Sequence, residues 1–185
     1  MKLILSLSLW LASLFLWSDD FIQGQTQQPK TTAIPAPAFS LKDLEGNTVT
    51  LKDQKGKVVI LDFWATWCGP CIKSFPSMQT AIDRYKDDPN VVFLFINTWE
   101  QRQDPLDFVR NFMDRKGYDF TVLMDVKEPG SAEKLVVDSY GVRGIPAKFI
   151  IDGKGNIRYS LMGFSGADEA EIAELVAMIE EAKEY

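Results

Sequence analysis

The sequence predicts an α/β fold in which a central mixed β-sheet carries helices on both faces. Two apolar runs, 57–65 and 91–97, have the length and continuity of strands that are buried on both sides. A segment with helical spacing of apolar residues follows each run, and a strand–turn–strand pattern occupies 147–163. Strands that alternate with helices and end in a hairpin are typical of a mixed sheet covered on both faces.

The first 24 residues are typical of a signal peptide or of an uncleaved amino-terminal anchor. Lys2 precedes an apolar stretch, LILSLSLWLASLFLW at 3–17, which Asp19 and Asp20 end. As a helix this stretch would span about 22 Å, short of the ~30 Å hydrocarbon core of a bilayer, and this favours a signal peptide. Either alternative predicts an exported protein, periplasmic or otherwise extracytoplasmic, and the second adds a membrane anchor.

Residues 25–36 are polar at first and then proline-spaced, which predicts a flexible linker. The remaining residues, 37–185, are expected to form one domain that is long enough to bury its own core. This domain begins with FSLKDLEGNTVTL, at 39–51, where two short strand-like pieces flank a Glu45-Gly46-Asn47 turn. That pattern predicts an amino-terminal β-hairpin.

The centre of the domain is predicted to be strand, helix, strand. The first strand, KVVILDFWA at 57–65, is apolar except for Asp62. The helix over 71–86 contains Pro76 in its interior and is expected to kink there. The second strand is VVFLFIN at 91–97.

An additional helix is expected next, because Asp104 suits a helix cap, Pro105 suits a first turn and Gly117 suits a helix end. The remaining predicted elements, in order, are a short strand at 120–125, a short helix at 131–140, the hairpin strands at 147–152 and 157–163, and an amphipathic helix at 167–185.

Composition removes several classes of function. The net charge is −6 and Lys and Arg are not clustered, so no nucleic-acid partner is expected. The chain contains no histidine, which excludes Ser-His and Cys-His hydrolases and argues against catalytic zinc and His-ligated copper. Neither a metal nor a dissociable cofactor is expected.

Cys68 and Cys71 are the only cysteines, and Gly69 and Pro70 separate them in the motif WCGPC. A bond that closes so small a loop constrains the unfolded chain little, so stability is a poor reason for the pair. At the start of a helix, unpaired N–H groups and the helix dipole favour the thiolate of Cys68, the attacking species. Cys71, one turn deeper, would resolve the mixed disulfide. The motif therefore predicts a thiol-disulfide oxidoreductase with a redox-active Cys68–Cys71 disulfide.

Asp62 is a carboxylate within a strand that is predicted to be buried, and burial raises the pKa of such a group. Its position before the motif could place it beneath the cysteines, where it would take the proton of Cys71. The alternative is that Asp62 lies at the edge of the protein or caps a turn.

WATWCGPC after VVILDFW resembles thioredoxin, and residues 37–183 resemble the exported TlpA/ResA-type thiol-disulfide oxidoreductases of the thioredoxin superfamily. The early hairpin and the additional helix around 104–117 are similar to that family's additions to the thioredoxin fold. The resemblance implies a thioredoxin-like fold with an amino-terminal β-hairpin and an inserted helix.

The resemblance also implies a substrate-binding loop. Ile145 and Pro146, after Gly144, fall where the family has its cis-proline loop, opposite the cysteines. The Ile145–Pro146 bond would then be cis, and the backbone of Ile145 could pair with an extended substrate. Substrate contacts are expected from this loop and from the motif: Trp67, Gly69, Pro70, Ile145 and Pro146.

The chain departs from the family at three positions. Ser74 stands where several members have glutamate, and Asp62 where many have asparagine. Phe95 corresponds to a buried lysine of thioredoxin, so no cation is expected from that strand and Asp62 should be strongly desolvated. Trp99 and Glu100, which follow the second strand, either shape a partner surface or cap a loop.

The Gly-Pro dipeptide resembles that of thioredoxin, whose low potential favours reduction of substrates. The expected partners are proteins with thiols or disulfides and a membrane thiol that donates electrons. The resemblance suggests cytochrome c maturation or general thiol reduction outside the cytoplasm. Three alternatives remain open from the sequence: a peroxidase of related fold, a thiolate Cu(I)-binding module and a non-enzymatic interaction domain.

Overall fold

The computed structural model describes residues 33–127, 134–164, 166 and 169–185. The predicted signal peptide or anchor lies outside the described residues, as does most of the predicted linker. Within the ranges given, no helix combines the length and the apolar character that crossing a membrane requires.

The described residues form eight strands and four α-helices, in the order that the sequence predicts apart from one added strand at the beginning. The bounds in chain order are β1 Ile34–Pro35, β2 Ser40–Asp43, β3 Thr48–Thr50, β4 Val58–Trp64, α1 Gly69–Tyr85, β5 Val91–Thr98, α2 Pro105–Lys116, β6 Val122–Asp125, α3 Val136–Ser139, β7 Ala147–Ile151, β8 Asn156–Met162 and α4 Glu169–Lys183.

All eight strands belong to one sheet, in the spatial order β1-β8-β7-β4-β5-β6-β2-β3. The strands β4, β5 and β6 run parallel to one another, while β7 is antiparallel to β4 and β8 is antiparallel to β7. The predicted amino-terminal hairpin, β2 and β3, extends the sheet beside β6. The prediction of a mixed sheet is therefore confirmed.

Strand β4 lies near the middle of this sheet, and all seven of its residues are buried. Because side chains alternate across a strand, β4 contributes to both hydrophobic cores. One core contains Ile60 and Trp64 with residues of α1, α2 and α4, and the other contains Leu61 and Phe63 with residues of α3. Helices thus cover both faces, and Asp62 lies on the α1 face between Ile60 and Trp64.

Helix α1 is joined to the sheet through Phe75, which is fully buried. Four aromatic rings surround it with centroids 5.1–6.1 Å away, those of Trp64, Phe95, Tyr118 and Phe120. The next residue, Pro76, lies on the exposed side of the helix, which continues through it to Tyr85. This aromatic packing fixes the helix whose first turn carries the cysteines.

Three local features differ from the predictions. Ile34 and Pro35, assigned to the linker, pair with Ile157 and Asn156 of β8 and form an edge strand. Asp104 precedes helix α2 without making a side-chain cap. Gly117, in contrast, has the left-handed conformation (φ +72°) that ends this helix, as predicted. Of the helix predicted over 131–140, residues 131–133 lie outside the described residues, and among 134–140 only 136–139 are helical.

Candidate active site

Cys68 and Cys71 form a disulfide across the first turn of α1, with their Cα atoms 5.3 Å apart. Cys68 is the N-cap of the helix, and its sulfur accepts a hydrogen bond from the backbone N–H of Cys71 at 3.2 Å. The Cys68 N–H donates to the carbonyl of Ala65, which closes the preceding turn. Both cysteines are buried, with Cys68 4% and Cys71 1% exposed.

The residues around the disulfide are the exposed part of the site. Gly69 and Pro70 are exposed and begin the helix. Backbone N–H groups in the first turn have no partner within the helix, so the N–H that proline lacks costs no hydrogen bond there. The side chain of Trp67 is 52% exposed, and its Nε1–H donates to the carbonyl of Trp99 at 3.0 Å. Trp64, by comparison, is fully buried in the core.

The Ile145–Pro146 bond is cis, as the resemblance implies. Ala147, the next residue, pairs with Phe63 of the antiparallel strand β4. Cys68 follows the end of β4 within a few residues, so the loop of Ile145 and Pro146 and the cysteines lie at the same edge of the sheet. The carbonyl of Pro146 accepts from the N–H of Gly163, which ties the loop to the end of β8.

Asp62 is buried, as predicted, with 2% of its surface exposed. Its cross-strand neighbour on β7 is Lys148, and Lys148 Nζ lies 3.5 Å from Asp62 Oδ2. Neither carboxylate oxygen makes a hydrogen bond to another described residue. Burial raises the pKa of the Asp62 carboxyl, and the opposing effect of the Lys148 ammonium does not cancel it.

The expectation that β5 places Phe95, and not a cation, beside Asp62 is confirmed, but a cation lies on the other side. Phe95 is indeed its neighbour on β5, but the neighbour on the other side, β7, supplies Lys148. Lys148 is itself buried within a strand whose five residues are all buried. Lys148, the one cation in the predicted strand AKFIID, was the signal for it, because a buried cation requires a partner.

An open cleft of about 280 Å³ reaches Lys148 from outside. Its wall on α1 includes Ser74 and Ser77, and α4 contributes Glu171 and Ile172. Ser74 donates its hydroxyl to the carbonyl of Cys71 at 2.8 Å. The cleft therefore reaches Lys148, the partner of Asp62, whereas Asp62 itself does not line it.

Sequence reasoning left the role of Trp99 and Glu100 open between a partner surface and a loop cap. In the structure, Trp99 bonds to Trp67, and Glu100 bonds to Thr66. Both residues therefore hold the loop that leads to Cys68, which favours the second alternative.

A larger groove of about 880 Å³ lies elsewhere, between strand β2 and the ends of β6 and α2. None of the predicted site residues lines it. The site itself lies at the carboxyl end of β4, where the N-terminus of α1 lies against the sulfur of Cys68, the buried carboxyl of Asp62 lies in β4, and the exposed Trp67 flanks the motif. This arrangement suits exchange of a dithiol with a disulfide.

Comparison with known proteins gives a family match over most of the chain. The model of the AhpC/TSA family matches residues 33–160. The thiol-disulfide oxidoreductase ResA of Bacillus anthracis is 34% identical over 137 residues, which cover 74% of this chain and 72% of that protein. The thioredoxin-like protein YneN of Bacillus subtilis is 36% identical over 136 residues, covering 74% of each chain.

Solved structures show the same fold. A thiol:disulfide interchange protein of the thioredoxin family from Chlorobium tepidum superposes with a TM-score of 0.64 at 26% identity, over 82% of this chain and 97% of that one. StoA from Bacillus subtilis superposes with a TM-score of 0.59 at 27% identity, over 77% and 99% of the respective chains. The thioredoxin-like fold expected from the sequence is thereby confirmed.

Proposed function

Since the chain belongs to the AhpC/TSA family and is a thioredoxin-like thiol-disulfide oxidoreductase, we propose that it acts as an exported reductase of disulfides in other proteins. The observation that carries this proposal is the position of Cys68. Its sulfur lies at the N-terminus of α1 and accepts the N–H of Cys71, which would stabilise the thiolate that attacks a substrate. The Gly69-Pro70 dipeptide, shared with thioredoxin, supports the reducing direction.

The reaction takes two steps. The thiolate of Cys68 attacks one sulfur of a substrate disulfide, forms a mixed disulfide and releases the other substrate sulfur as a thiolate. Cys71 then loses its proton and attacks Cys68, which releases the second substrate sulfur and forms the Cys68–Cys71 disulfide. The substrate gains two electrons and the protein loses two.

Asp62 is proposed as the acceptor of the Cys71 proton. Its raised pKa suits this role, because a carboxyl whose pKa is raised by burial takes up a proton more readily than an ordinary aspartate does. The neighbouring cleft would then let water remove the proton after each turnover. The dithiol carries the electrons itself, so the proposed reaction needs no dissociable cofactor.

The substrate is proposed to lie along the loop of Ile145 and Pro146 in extended form, with Trp67, Gly69 and Pro70 beneath it. Proteins that bear a CxxCH motif, oxidised before haem attachment, are the leading candidates within a role in cytochrome c maturation. General reduction of thiols outside the cytoplasm is the broader form of the same proposal.

The export and the electron supply rest on the amino-terminal sequence. The apolar stretch at 3–17 supports passage across a membrane, with cleavage or anchoring as the alternatives. Outside the cytoplasm an oxidised Cys68–Cys71 pair would need a source of electrons. A membrane thiol carrier is the proposed donor.

The reduction potential of the Cys68–Cys71 pair tests the direction of the reaction. The protein would be equilibrated in dithiothreitol and glutathione buffers, with tryptophan fluorescence as the signal. We expect a value below about −240 mV, as for a thiol reductase, whereas a value above about −170 mV would make it a donor of disulfides. Rapid consumption of hydrogen peroxide would instead favour a peroxidase. Tight stoichiometric Cu(I) binding by the reduced protein would favour a Cu(I)-binding module.

A further inference from the structure

We propose that Glu100 is a positioning residue, which together with Trp99 clamps the loop that carries Cys68. The loop clamp consists of the Glu100 carboxylate and the Trp99 carbonyl on one side, and of Thr66 and Trp67 on the other. This inference rests on the proposed function, because it names what sets the geometry of that same site.

The Glu100 carboxylate makes a two-point contact with a single residue of the loop. Its Oε1 accepts from the backbone N–H of Thr66 at 2.7 Å, and its Oε2 accepts from the Thr66 hydroxyl at 2.9 Å. Hydrogen bonds to a charged acceptor are stronger than neutral ones. Two of them on one residue fix both the position and the rotation of the loop, two residues before Cys68.

The clamp is attached to a rigid part of the sheet. The Asn97 side chain, fully buried at the end of β5, donates from Nδ2 to Glu100 Oε1 at 3.0 Å. The next residue, Thr98, donates its hydroxyl to Asp125 Oδ2 at 3.1 Å. Both hydrogen bonds fix the backbone at the end of β5. The Glu100 carboxylate therefore contacts the loop from a fixed position.

Trp99 provides the second contact through an unusual backbone conformation. Its φ of +54° is left-handed, and among the described residues no other residue except glycine has a positive φ. Such a conformation is disfavoured for a residue with a side chain and persists where the surroundings impose it. Here it accompanies the hydrogen bond from Trp67 Nε1 to the Trp99 carbonyl. Half of the Trp67 side chain is exposed, yet this bond holds it beside Cys68.

The clamp should affect catalysis because disulfide exchange depends on how the attacking sulfur is placed. A misplacement of 1 Å by a change outside the reacting groups can lower a rate about 100-fold. Glutamine at position 100 would keep the geometry, because its amide oxygen can accept from Thr66 N–H and Asn97. Its amide nitrogen can donate to the Thr66 hydroxyl, so Glu100→Gln removes the charge but keeps the contacts.

The experiment compares Glu100→Ala with Glu100→Gln, and Glu45→Ala serves as a control at an exposed carboxylate. The first readout is kcat/KM with insulin as the disulfide substrate and dithiothreitol as the electron source. We expect Glu100→Ala to lose about tenfold or more, and Glu100→Gln and Glu45→Ala to remain within about twofold of the parent protein.

The second readout needs no substrate. Exchange of the Thr66 amide hydrogen, followed by NMR, should become about tenfold faster or more in Glu100→Ala and stay slow in Glu100→Gln. A milder variant, Thr66→Val, removes only the hydroxyl contact and should lose part of kcat/KM. The double variant Thr66→Val/Glu100→Ala should be no worse than Glu100→Ala alone, because Glu100→Ala already breaks the contact that Thr66→Val removes.

A kcat/KM of Glu100→Ala equal to that of the parent protein would overturn the proposal. Equal losses of kcat/KM in Glu100→Ala and Glu100→Gln would also overturn it, because they would show that the charge of Glu100 matters and not its contacts. Additive losses in the double variant would also count against it. If the parent protein itself does not reduce insulin, the proposed function fails. The amide exchange of Thr66 then decides the clamp separately.

Discussion

Asp62 and Lys148 form a buried ion pair, and Asp62 should make the stability of the protein depend on pH. The pKa of Asp62 is raised in the folded state, so the unfolded chain releases this proton at a lower pH than the folded protein does. Below the usual aspartate range both states hold the proton. As the pH rises from that range to the raised pKa of Asp62, the free energy of unfolding contributed by this group falls.

We predict that Asp62→Asn removes this decline. Each pH unit between the unfolded and folded pKa values corresponds to about 1.4 kcal/mol. Asparagine keeps an oxygen toward Lys148 but does not ionise. The measurement is urea unfolding of the oxidised protein at a series of pH values, with Asp87→Asn as a control at an exposed aspartate. An unchanged decline in Asp62→Asn would show that other groups cause it.

Replacement of the cation is the complementary change. Lys148→Met removes the group that opposes the effect of burial, so the pKa of Asp62 should rise further and the decline should extend to higher pH. The titration of Asp62 can be followed directly by carboxyl ¹³C NMR. A lower pKa in Lys148→Met would contradict the ion pair.

At the level of elements, the aromatic cluster around Phe75 keeps helix α1 against the sheet. The ring of Phe75 has edge-to-face contacts with Trp64 and Phe95, among others, and is fully buried. Truncation of Phe75 would therefore lose the free energy gained by removing the ring from water, and it would also lose the contacts of the ring with its neighbours.

We predict that Phe75→Ala lowers the free energy of unfolding by about 3–5 kcal/mol. Phe75→Leu fills more of the space and should cost less. Urea unfolding monitored by circular dichroism measures both. A loss below 1 kcal/mol in Phe75→Ala, on the order of a surface substitution, would mean that the cluster does not hold the helix.

At the level of the whole molecule, the redox state of Cys68–Cys71 should be coupled to global stability. A fold that stabilises its disulfide has a low reduction potential, while a strong oxidant is one whose reduced form is the more stable. The disulfide here lies at the start of a helix that packs through Phe75 into the main core. A change in the redox state of the cysteines can therefore alter the stability of the whole domain.

We therefore predict that the oxidised protein unfolds at a higher urea concentration than the reduced protein does. The two midpoints are measured with and without dithiothreitol, and a Cys68→Ser/Cys71→Ser variant controls for effects of the reductant itself. A reduced form more stable than the oxidised one would indicate a disulfide donor and would argue against the proposed reductase.

Much of this molecule followed from local pattern. Continuous apolar runs predicted the central strands, the spacing of apolar residues predicted the helices, and WCGPC marked the redox pair at a helix start. The burial of Asp62 was predictable for the same reason, since it interrupts an apolar run by a single residue. These features depend on neighbours within a few positions along the chain, and such relations are visible in the sequence.

The pairing of distant segments was decided only by the tertiary structure. Lys148 lies beside Asp62 because β7 is the antiparallel neighbour of β4, a strand order that the sequence does not display. Glu100 lies 34 positions from Thr66 and meets it because β4 and β5 end side by side. The sequence by itself determined the redox chemistry and the class of fold, whereas the cation beside the carboxyl and the clamp on the active-site loop arise from strand order and register, which bring together residues far apart in the chain.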